Sequence, residues 1–263
     1  MSGPVITFLS DYGLADEFVG VCHAVIARRA PDARVIDLTH AIARHDVRAG
    51  ALALRAALPY CPSGTVHLAV VDPGVGGARR ALALRAHEDD RVLIGPDNGL
   101  LWPAAQALGG VSEAYDIGGS AERIEPMSQT FHGRDLFAPV AGAVCAGIPL
   151  SELGSPITPG QVVVLDLPQP RWDGLTVTAH VLSIDVFGNV ALDVTPAAVS
   201  ERSELEIAGL IVPLVATFDA VAAGELLAYV DARGALALAV NSGSAAERLG
   251  LRVDDELALG EQR

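Results

Sequence analysis

The stretch that decides the fold is TVHLAVV (residues 65–71), followed directly by DPGVG (residues 72–76). The first run is β-branched and aliphatic apart from one histidine, which is typical of a buried parallel strand. Asp72 therefore stands where this strand ends. In open α/β sheets ligands gather at the carboxyl ends of strands, so the sequence predicts a site at Asp72.

Apolar runs alternate with helical patterns on both sides of this stretch. Predicted strands lie at residues 4–10, 34–38, 65–71, 81–86 and 91–94, and predicted helices at 17–29 and 47–58. This alternation indicates an α/β domain with a mostly parallel sheet covered by helices.

The predicted secondary-structure pattern changes after residues 153–170. Four prolines and two glycines in this segment suggest a hinge. Short strands are predicted at 175–184, 189–194, 204–215, 226–230 and 235–240. A smaller β-barrel-like domain fits them best. We therefore expect two domains, residues 1–160 and 161–263.

Composition excludes several function classes. The net charge is −14 and all 18 basic residues are arginine, which disfavours a nucleic-acid partner and removes lysine-based covalent chemistry. No apolar run is long enough for a membrane span, and no export signal is visible at the amino terminus. Three widely spaced cysteines, Cys22, Cys61 and Cys145, favour neither disulfides nor metal binding. We expect a cytoplasmic protein without a membrane partner.

Three polar loops follow predicted strands: SDYG (10–13), DPGVG (72–76) and GPDNG (95–99). One alone would be interpreted as a turn, but three at the same edge of a sheet favour a site. Arg79 lies close enough to Asp72 in sequence to form an ion pair. That pair would either stiffen the glycine-rich loop or serve catalysis, and both interpretations stay open.

A fourth polar element, TFHGRD (130–135), precedes an apolar run and predicts a helix entrance suited to an anion or a polarised oxygen. The side chains that offer suitable ligand atoms for a metal ion are Asp11, Asp16, Asp72, Asp97 and His132. No HxH or HExxH spacing supports a metal site, so we expect no metal. Dinucleotide and P-loop fingerprints are absent from the sequence.

In the second domain, SIDVFGN (183–189) interrupts a strand pattern. The segment predicts a hairpin turn. It also offers what a nucleoside needs, because Asp185 suits hydroxyls, Phe187 suits stacking and Asn189 suits a base edge.

Taken in order, these motifs resemble the S-adenosyl-L-methionine hydrolases, or hydroxide adenosyltransferases, relatives of the fluorinases and chlorinases. The resemblance is carried by SDYG, DPGVG with Arg79, GPDNG, FHGRD (131–135) and DVFGN (185–189), and it runs from residue 5 to about residue 255. It implies an α/β domain followed by a β-barrel-like domain. It also implies a homotrimer whose active sites lie between one subunit's first domain and a neighbour's second, and cofactor-free hydrolysis of S-adenosylmethionine to adenosine and methionine.

Carried over by position, the resemblance implies a catalytic set of Asp72, Arg79 and His132. Asp11 matches a ribose-binding aspartate, and Asp185 and Asn189 match adenosine contacts. Further substrate-binding candidates are Asp16, Asn98, Phe131, Phe187, Arg233 and Ser242. The chain departs from the family at Ala232, where a serine is common near the methionine end of the substrate, so Arg233 or Asp231 is expected to compensate.

Two alternatives remain beside the hydrolase. A halogenase is disfavoured, because those enzymes place a tyrosine where this chain has Asp72, and a carboxylate repels a halide. A nucleoside-binding sensor is disfavoured by the intact catalytic set. The preferred epimer at sulfur and the division of proton transfer within the set stay open.

Overall fold

The computed structural model describes residues 3–174, 176–199 and 202–260. Contacts divide the chain into two compact units, Met1–Asp166 and Leu167–Arg263. Each unit has hydrophobic core clusters of its own. In the described part of the chain, no helix has the length and apolar character needed to cross a membrane.

The first unit is built on one seven-stranded sheet in the order β2-β1-β3-β5-β4-β6-β7. Its strands are β1 (Val5–Ser10), β2 (Arg34–Thr39), β3 (Val66–Val70), β4 (Ala81–Ala86), β5 (Val92–Pro96), β6 (Val111–Asp116) and β7 (Ser155–Ile157). Its helices are α1 (Phe18–Arg29), α2 (Val47–Ala57), α3 (Trp102–Ala107), α4 (Ala138–Cys145) and α5 (Leu150–Leu153), with a π-helical turn at Gly133–Phe137 directly before α4.

Strand β3 lies inside this sheet, as its sequence predicts. All its residues are buried, and alternate side chains enter two different core clusters. Leu68 packs in the cluster that includes α1 and α4, whereas Ala69 packs in the cluster that includes α2 and α3. Helices therefore cover both faces of the sheet, which explains why β3 reads as a continuous apolar run.

The sheet is mixed rather than uniformly parallel. Strands β2, β1, β3 and β5 are parallel neighbours, and β4, β6 and β7 extend the sheet with antiparallel pairings. The predicted α/β class is confirmed. The first part of the segment expected to be a hinge is instead β7, which pairs with β6.

The second unit is antiparallel, with the strand order β12-β11-β15-β9-β10-β14-β13, and β8 also pairs with β9. Its elements are β8 (Arg171–Asp173), β9 (Thr176–Ile184), β10 (Val190–Leu192), β11 (Glu204–Ile207), β12 (Leu210–Pro213), β13 (Leu226–Val230), β14 (Leu236–Val240), α6 (Ala245–Leu249) and β15 (Glu256–Gly260). Val215 N donates to Ala228 O at 2.9 Å, which brings the chain after β12 back to β13. The sheet therefore nearly closes, and the expected barrel-like domain is confirmed.

Two predicted strands of this unit differ from the observed ones. Residues 204–215 form a hairpin of β11 and β12 rather than one strand, because Ala208 and Gly209 both have positive φ, 50° and 77°. The strand predicted at 175–184 is observed from Thr176, and its first residue lies outside the described part of the chain.

Candidate active site

Two loops that follow parallel strands open into one cavity of about 640 Å³ in the first unit. Asp11 follows β1 and Asp72 follows β3, and these strands are adjacent and parallel. Phe131 and His132, from the segment before the π-helical turn, line the same cavity. The structure therefore brings together four residues that the sequence singled out.

Arg79 donates hydrogen bonds to both carboxylate oxygens of Asp72. Its Nε lies 3.0 Å from both Oδ1 and Oδ2, and its Nη2 also donates to Oδ2. The Asp72 and Arg79 side chains are only 6% and 11% exposed. The ion pair suggested by their spacing is thus formed. It leaves Asp72 able to accept another proton donor, because each carboxylate oxygen has two lone pairs.

The same guanidinium fixes the tautomer of His132. Arg79 Nη2 lies 2.8 Å from His132 Nδ1, and because arginine only donates, Nδ1 must accept. In the neutral ring the proton is therefore on Nε2. Burial, followed by the charge of Arg79, lowers the pKa of His132. Among the described residues Nε2 is buried and has no hydrogen-bond partner, so this N–H is an unsatisfied donor on a residue that lines the cavity.

Glycine is required where the Asp72 loop meets the loop before His132. Gly76 has φ +74°, and a Cβ there would lie 2.2 Å from the carbonyl oxygen of Gln129. No side chain fits that space. Gly76 therefore allows the two loops that carry Asp72 and His132 to pack against each other.

An aromatic wall forms another side of the cavity. The rings of Tyr12 and Phe18 each meet Phe131 edge to face, at 5.6 and 5.1 Å between centroids. A Cβ on Gly133 would lie 2.0 Å from Tyr12 Oη, so the phenol sits directly against the backbone there. Burial raises the pKa of Tyr12 well above its usual range, and Tyr12 is therefore a neutral phenol.

Asp11 is held by the loop that follows β2. Its Oδ2 accepts the backbone N–H of His45 at 2.9 Å, and His45 has φ +68°. Such a backbone conformation costs of order 1–3 kcal/mol in a residue other than glycine, and strain of this kind clusters at functional sites. Arg44 and His45 both line the cavity, although the sequence reasoning passed over them. The signal was the polar run Arg-His-Asp46 between β2 and α2.

Both polar atoms of the Asn98 side-chain amide are hydrogen-bonded. Its Nδ2 donates to Val71 O at 2.8 Å, and its Oδ1 accepts Leu100 N at 3.1 Å. Asn98 thus anchors the residue immediately before Asp72. Its predicted contact with substrate stays a prediction.

The carboxylates weighed for a metal site do not form one cluster among the described residues. Asp97 is buried and bonded to Arg80 Nε and Val163 N, each at 2.8 Å, so its charge is paired and each of its carboxylate oxygens already accepts a hydrogen bond. Asp16 is exposed and is not among the residues that line the 640 Å³ cavity.

The second unit has a cavity of about 410 Å³ that is lined by Asp185, Phe187 and Asn189. Asp185 Oδ1 accepts the backbone N–H groups of Phe187 and Asn189, and Oδ2 accepts Asn189 Nδ2, all at 2.9 Å. The predicted turn between β9 and β10 is therefore confirmed. It leaves Phe187 73% exposed, as a stacking surface requires.

Arg233 lines the same cavity beside Asp231 and Ala232. Asp231 Oδ1 is taken up by the backbone N–H groups of Arg233 and Ala235, at 2.8 and 2.9 Å. Within the described part of the chain the exposed Arg233 guanidinium has no ion-pair or hydrogen-bond partner. Ser242, at φ +59°, donates to Asn241 Oδ1 at 3.1 Å and is not among the residues that line the 410 Å³ cavity.

Both parts of the chain match one protein family. Residues 6–154 match the SAM hydroxide adenosyltransferase N-terminal domain, and residues 179–258 match the C-terminal domain. The chain belongs to the SAM hydroxide adenosyltransferase family.

Individual relatives agree with this membership. The chain is 49% identical to the (R)-S-adenosyl-L-methionine hydrolase of Salinispora arenicola over 97% of both chains, and 42% identical to that of Thermus thermophilus over 94% of this chain and 96% of the relative. Fluorinases are more distant; that of an Actinoplanes species is 28% identical over 91% of both chains. A crystal structure of an uncharacterized conserved protein from Thermotoga maritima superposes with a TM-score of 0.89 at 33% identity, covering 97% of this chain and all of that one.

Several cavity residues were missed because each is ordinary in sequence. Val75, Ser128 and Thr130 are small or uncharged, and Arg134 pairs with the buried Asp135 at 2.6 Å while lying 5.0 Å from the Phe131 ring centroid. Val75, Thr130 and Arg134 belong to segments that the sequence predicts for the site, but which of their side chains reach the cavity depends on loop packing.

Proposed function

We propose that this chain is an enzyme that hydrolyses S-adenosyl-L-methionine, water attacking C5′ of the ribose to give adenosine and L-methionine. The observation that carries the proposal is that Arg79 contacts both Asp72 and His132, and that these two residues line one cavity together with Asp11. The sulfonium is a good leaving group and needs no acid. Catalysis is therefore needed only to activate the attacking water.

The geometry divides the work among the three residues. The water oxygen accepts the Nε2–H of His132 and donates one proton toward Asp72, which leaves a lone pair to face C5′. As the C5′–O bond forms, the C5′–S bond breaks, its electron pair stays on sulfur, and the water proton passes to Asp72. Arg79 holds both partners in place and stabilises the developing oxyanion. General-base assistance of this kind contributes about 10²- to 10⁴-fold in rate.

Substrate binding is assigned to both units. In the proposal Asp11 accepts ribose hydroxyls, with the Tyr12, Phe18 and Phe131 wall beside the sugar. The second unit supplies Asp185, Phe187, Asn189 and the backbone at Ser242 for adenosine. Arg233 is the candidate for the methionine carboxylate, because its guanidinium is exposed and without a partner among the described residues. Asp16 and Asn98 remain candidate contacts.

The reaction is tested by following product formation in ¹⁸O-labelled water. Purified protein in EDTA-containing, chloride-free buffer is given the (R) and (S) sulfonium epimers separately, and adenosine and methionine are measured by liquid chromatography with mass spectrometry. Equimolar products with the label in the adenosine 5′-hydroxyl are expected. The names of the relatives support a preference for the (R) epimer. Label absent from adenosine would contradict attack at C5′, and adenosine binding without turnover would favour a sensor.

The same assay distinguishes a hydrolase from a halogenase. Chloride or fluoride added at millimolar concentration should yield no 5′-halo nucleoside, because Asp72 presents a carboxylate to the cavity. Appearance of a halide-dependent product would reverse this assignment.

The proposal includes a homotrimer in the cytoplasm whose active sites join residues 1–160 of one subunit to residues 161–263 of a neighbour. The support is the family resemblance and the placement of complementary groups in two separate cavities. Coexpressing Asp72→Asn with Arg233→Ala chains, and assaying at substrate concentrations well below KM, tests it, since random assembly of a cyclic trimer restores both residues at about a quarter of shared sites. Sites built within a single chain would regain no activity over either variant alone.

A further inference from the structure

Three side chains from separate segments converge outside the cavity just described. His23 lies in α1, Asp37 lies in β2, and His40 follows the end of β2. Asp37 Oδ1 is 2.8 Å from His23 Nε2 and 3.0 Å from His40 Nε2. One ligand atom from each residue can be chosen so that all three lie within 4.8 Å of one another.

His40 already has the orientation of a metal ligand. Its side chain is only 2% exposed, and Nδ1 lies 2.8 Å from Ser10 Oγ. Histidine ligands characteristically have the second ring nitrogen engaged in this way, which fixes the ring and the tautomer. Nε2 is buried and, although close to Asp37, has no hydrogen bond of acceptable geometry among the described residues. A buried polar atom in this state is costly unless something else binds it.

We propose that His23, Asp37 and His40 form a binding site for a divalent transition-metal ion of the zinc class. Two imidazoles and one carboxylate suit zinc, cobalt or nickel and disfavour magnesium and calcium, which prefer all-oxygen sites. Ligand atoms around tetrahedral zinc at about 2.0–2.1 Å are about 3.3–3.4 Å apart. The two distances from Asp37 Oδ1 to the histidine nitrogens therefore have to lengthen by about 0.3–0.6 Å. The partly exposed side chains of His23 and Asp37, at 34% and 40%, can make that shift and leave a fourth position open to solvent.

The expected role of this ion is structural rather than catalytic. Ser10 Oγ, which contacts His40, also accepts Tyr12 N at 3.3 Å, and the carbonyl of His40 accepts Gly13 N at 2.8 Å. An ion held by His40 would therefore steady the loop that carries Asp11. Because the ligands are not among the residues lining the catalytic cavity, metal binding and hydrolysis are separable, and this proposal does not depend on the proposed reaction.

The test titrates Zn²⁺ into the full-length protein after EDTA treatment and desalting, with calorimetry for affinity and native mass spectrometry for stoichiometry. His23→Ala is the main variant, because His23 is partly exposed on a helix. His87→Ala is the matched control, an exposed histidine beside the acidic run at residues 88–90. One Zn²⁺ per chain is expected for wild type and His87→Ala, with affinity in His23→Ala weaker by at least about tenfold. Zn²⁺ should raise the Tm of wild type and of His87→Ala but not that of His23→Ala. Mg²⁺ should leave the Tm of all three proteins unchanged.

Asp37→Asn, which preserves volume, gives the same readout if His23→Ala fails to fold. Saturation with adenosine should leave Zn²⁺ binding unchanged. The proposal is overturned if wild type binds no Zn²⁺ at micromolar concentration, in which case Asp37 merely bridges two histidines. It is equally overturned if binding survives in the folded His23→Ala or Asp37→Asn variant, or if adenosine abolishes it, because the ion would then lie elsewhere.

Discussion

Replacing Asp72 by asparagine separates the structural role of the Asp72–Arg79 pair from its proposed catalytic role. Removing one partner of a buried ion pair costs about 3–5 kcal/mol, and both side chains here are nearly buried. Arg79 keeps its contact with His132 at 2.8 Å, so the lower end, about 3 kcal/mol, is expected. Domains of this kind have about 5–15 kcal/mol in total, and the variant should remain folded.

Turnover should fall much further than stability alone explains. Loss of the proposed proton acceptor predicts a decrease in kcat of about 10²- to 10⁴-fold. The Kd for adenosine should stay near the wild-type value, because in the proposed mechanism Asp72 contacts only the water. Adenosine release gives kcat, urea unfolding gives stability, and calorimetry gives Kd. Asp97→Asn is the matched control, since Asp97 is also buried and paired with an arginine, Arg80. It should lose comparable stability and retain kcat. Wild-type turnover in a folded Asp72→Asn protein would refute the catalytic role and leave only the ion pair.

Four further outcomes test other parts of the site and fold. Gly76→Ala forces a Cβ to 2.2 Å from Gln129 O at positive φ, and should cost about 2 kcal/mol or more in urea unfolding while lowering kcat; an unchanged kcat would show that the loop contact is dispensable. His132→Gln, which keeps an N–H donor, should retain more turnover than His132→Ala, for which a loss of about 10²-fold is expected; equal losses would argue against a donor role. Burial, followed by the charge of Arg91, lowers the pKa of His67 to about 4. Its neutral form therefore contributes about 3 kcal/mol to the free energy of unfolding above pH 6.5, and this contribution is lost as pH falls through 4. Urea unfolding of His67→Gln across this pH range should lack this pH-dependent loss of stability. Arg233→Ala should raise KM for S-adenosylmethionine about tenfold or more with the adenosine Kd unchanged, and an unchanged KM would remove Arg233 from the methionine end.

The parallel core of the first sheet was predictable, whereas the antiparallel half was not recognised. Buried strands of either direction read as apolar runs, so β4 looked no different from β3. The informative feature was loop length. Only residues 87–91 separate β4 from β5, too few for a parallel crossover, and Asp89 and Asp90 adopt positive φ in that turn. Strand β6 was missed because its burial is partial and its sequence carries charges.

The site could be predicted in parts but not as an assembly. The spacing of Asp72 and Arg79 allowed an ion pair, but His132 lies 53 residues beyond Arg79, and no local pattern predicts that contact. The family resemblance supplied it. His45 was not predicted because the loop after β2 lies outside the three polar loops and the TFHGRD segment that the sequence singles out. The His23, Asp37 and His40 cluster is equally invisible in sequence, since it depends on the register of β2 and on the face of α1.

Arg79 explains why structural and catalytic interpretations of this loop need not compete. A guanidinium has five N–H donors in a rigid plane, and here Nε and Nη2 hold Asp72 while Nη2 also fixes Nδ1 of His132. Asp72 and Arg79 cancel each other's charge, so the group does not attract a halide as a bare arginine would. Instead the Arg79 guanidinium holds Asp72, which accepts hydrogen bonds, beside His132, whose Nε2–H donates one. Together these two groups match the hydrogen-bonding capacity of a single water molecule. We propose that the ion pair is the means by which the site selects water over a halide as nucleophile.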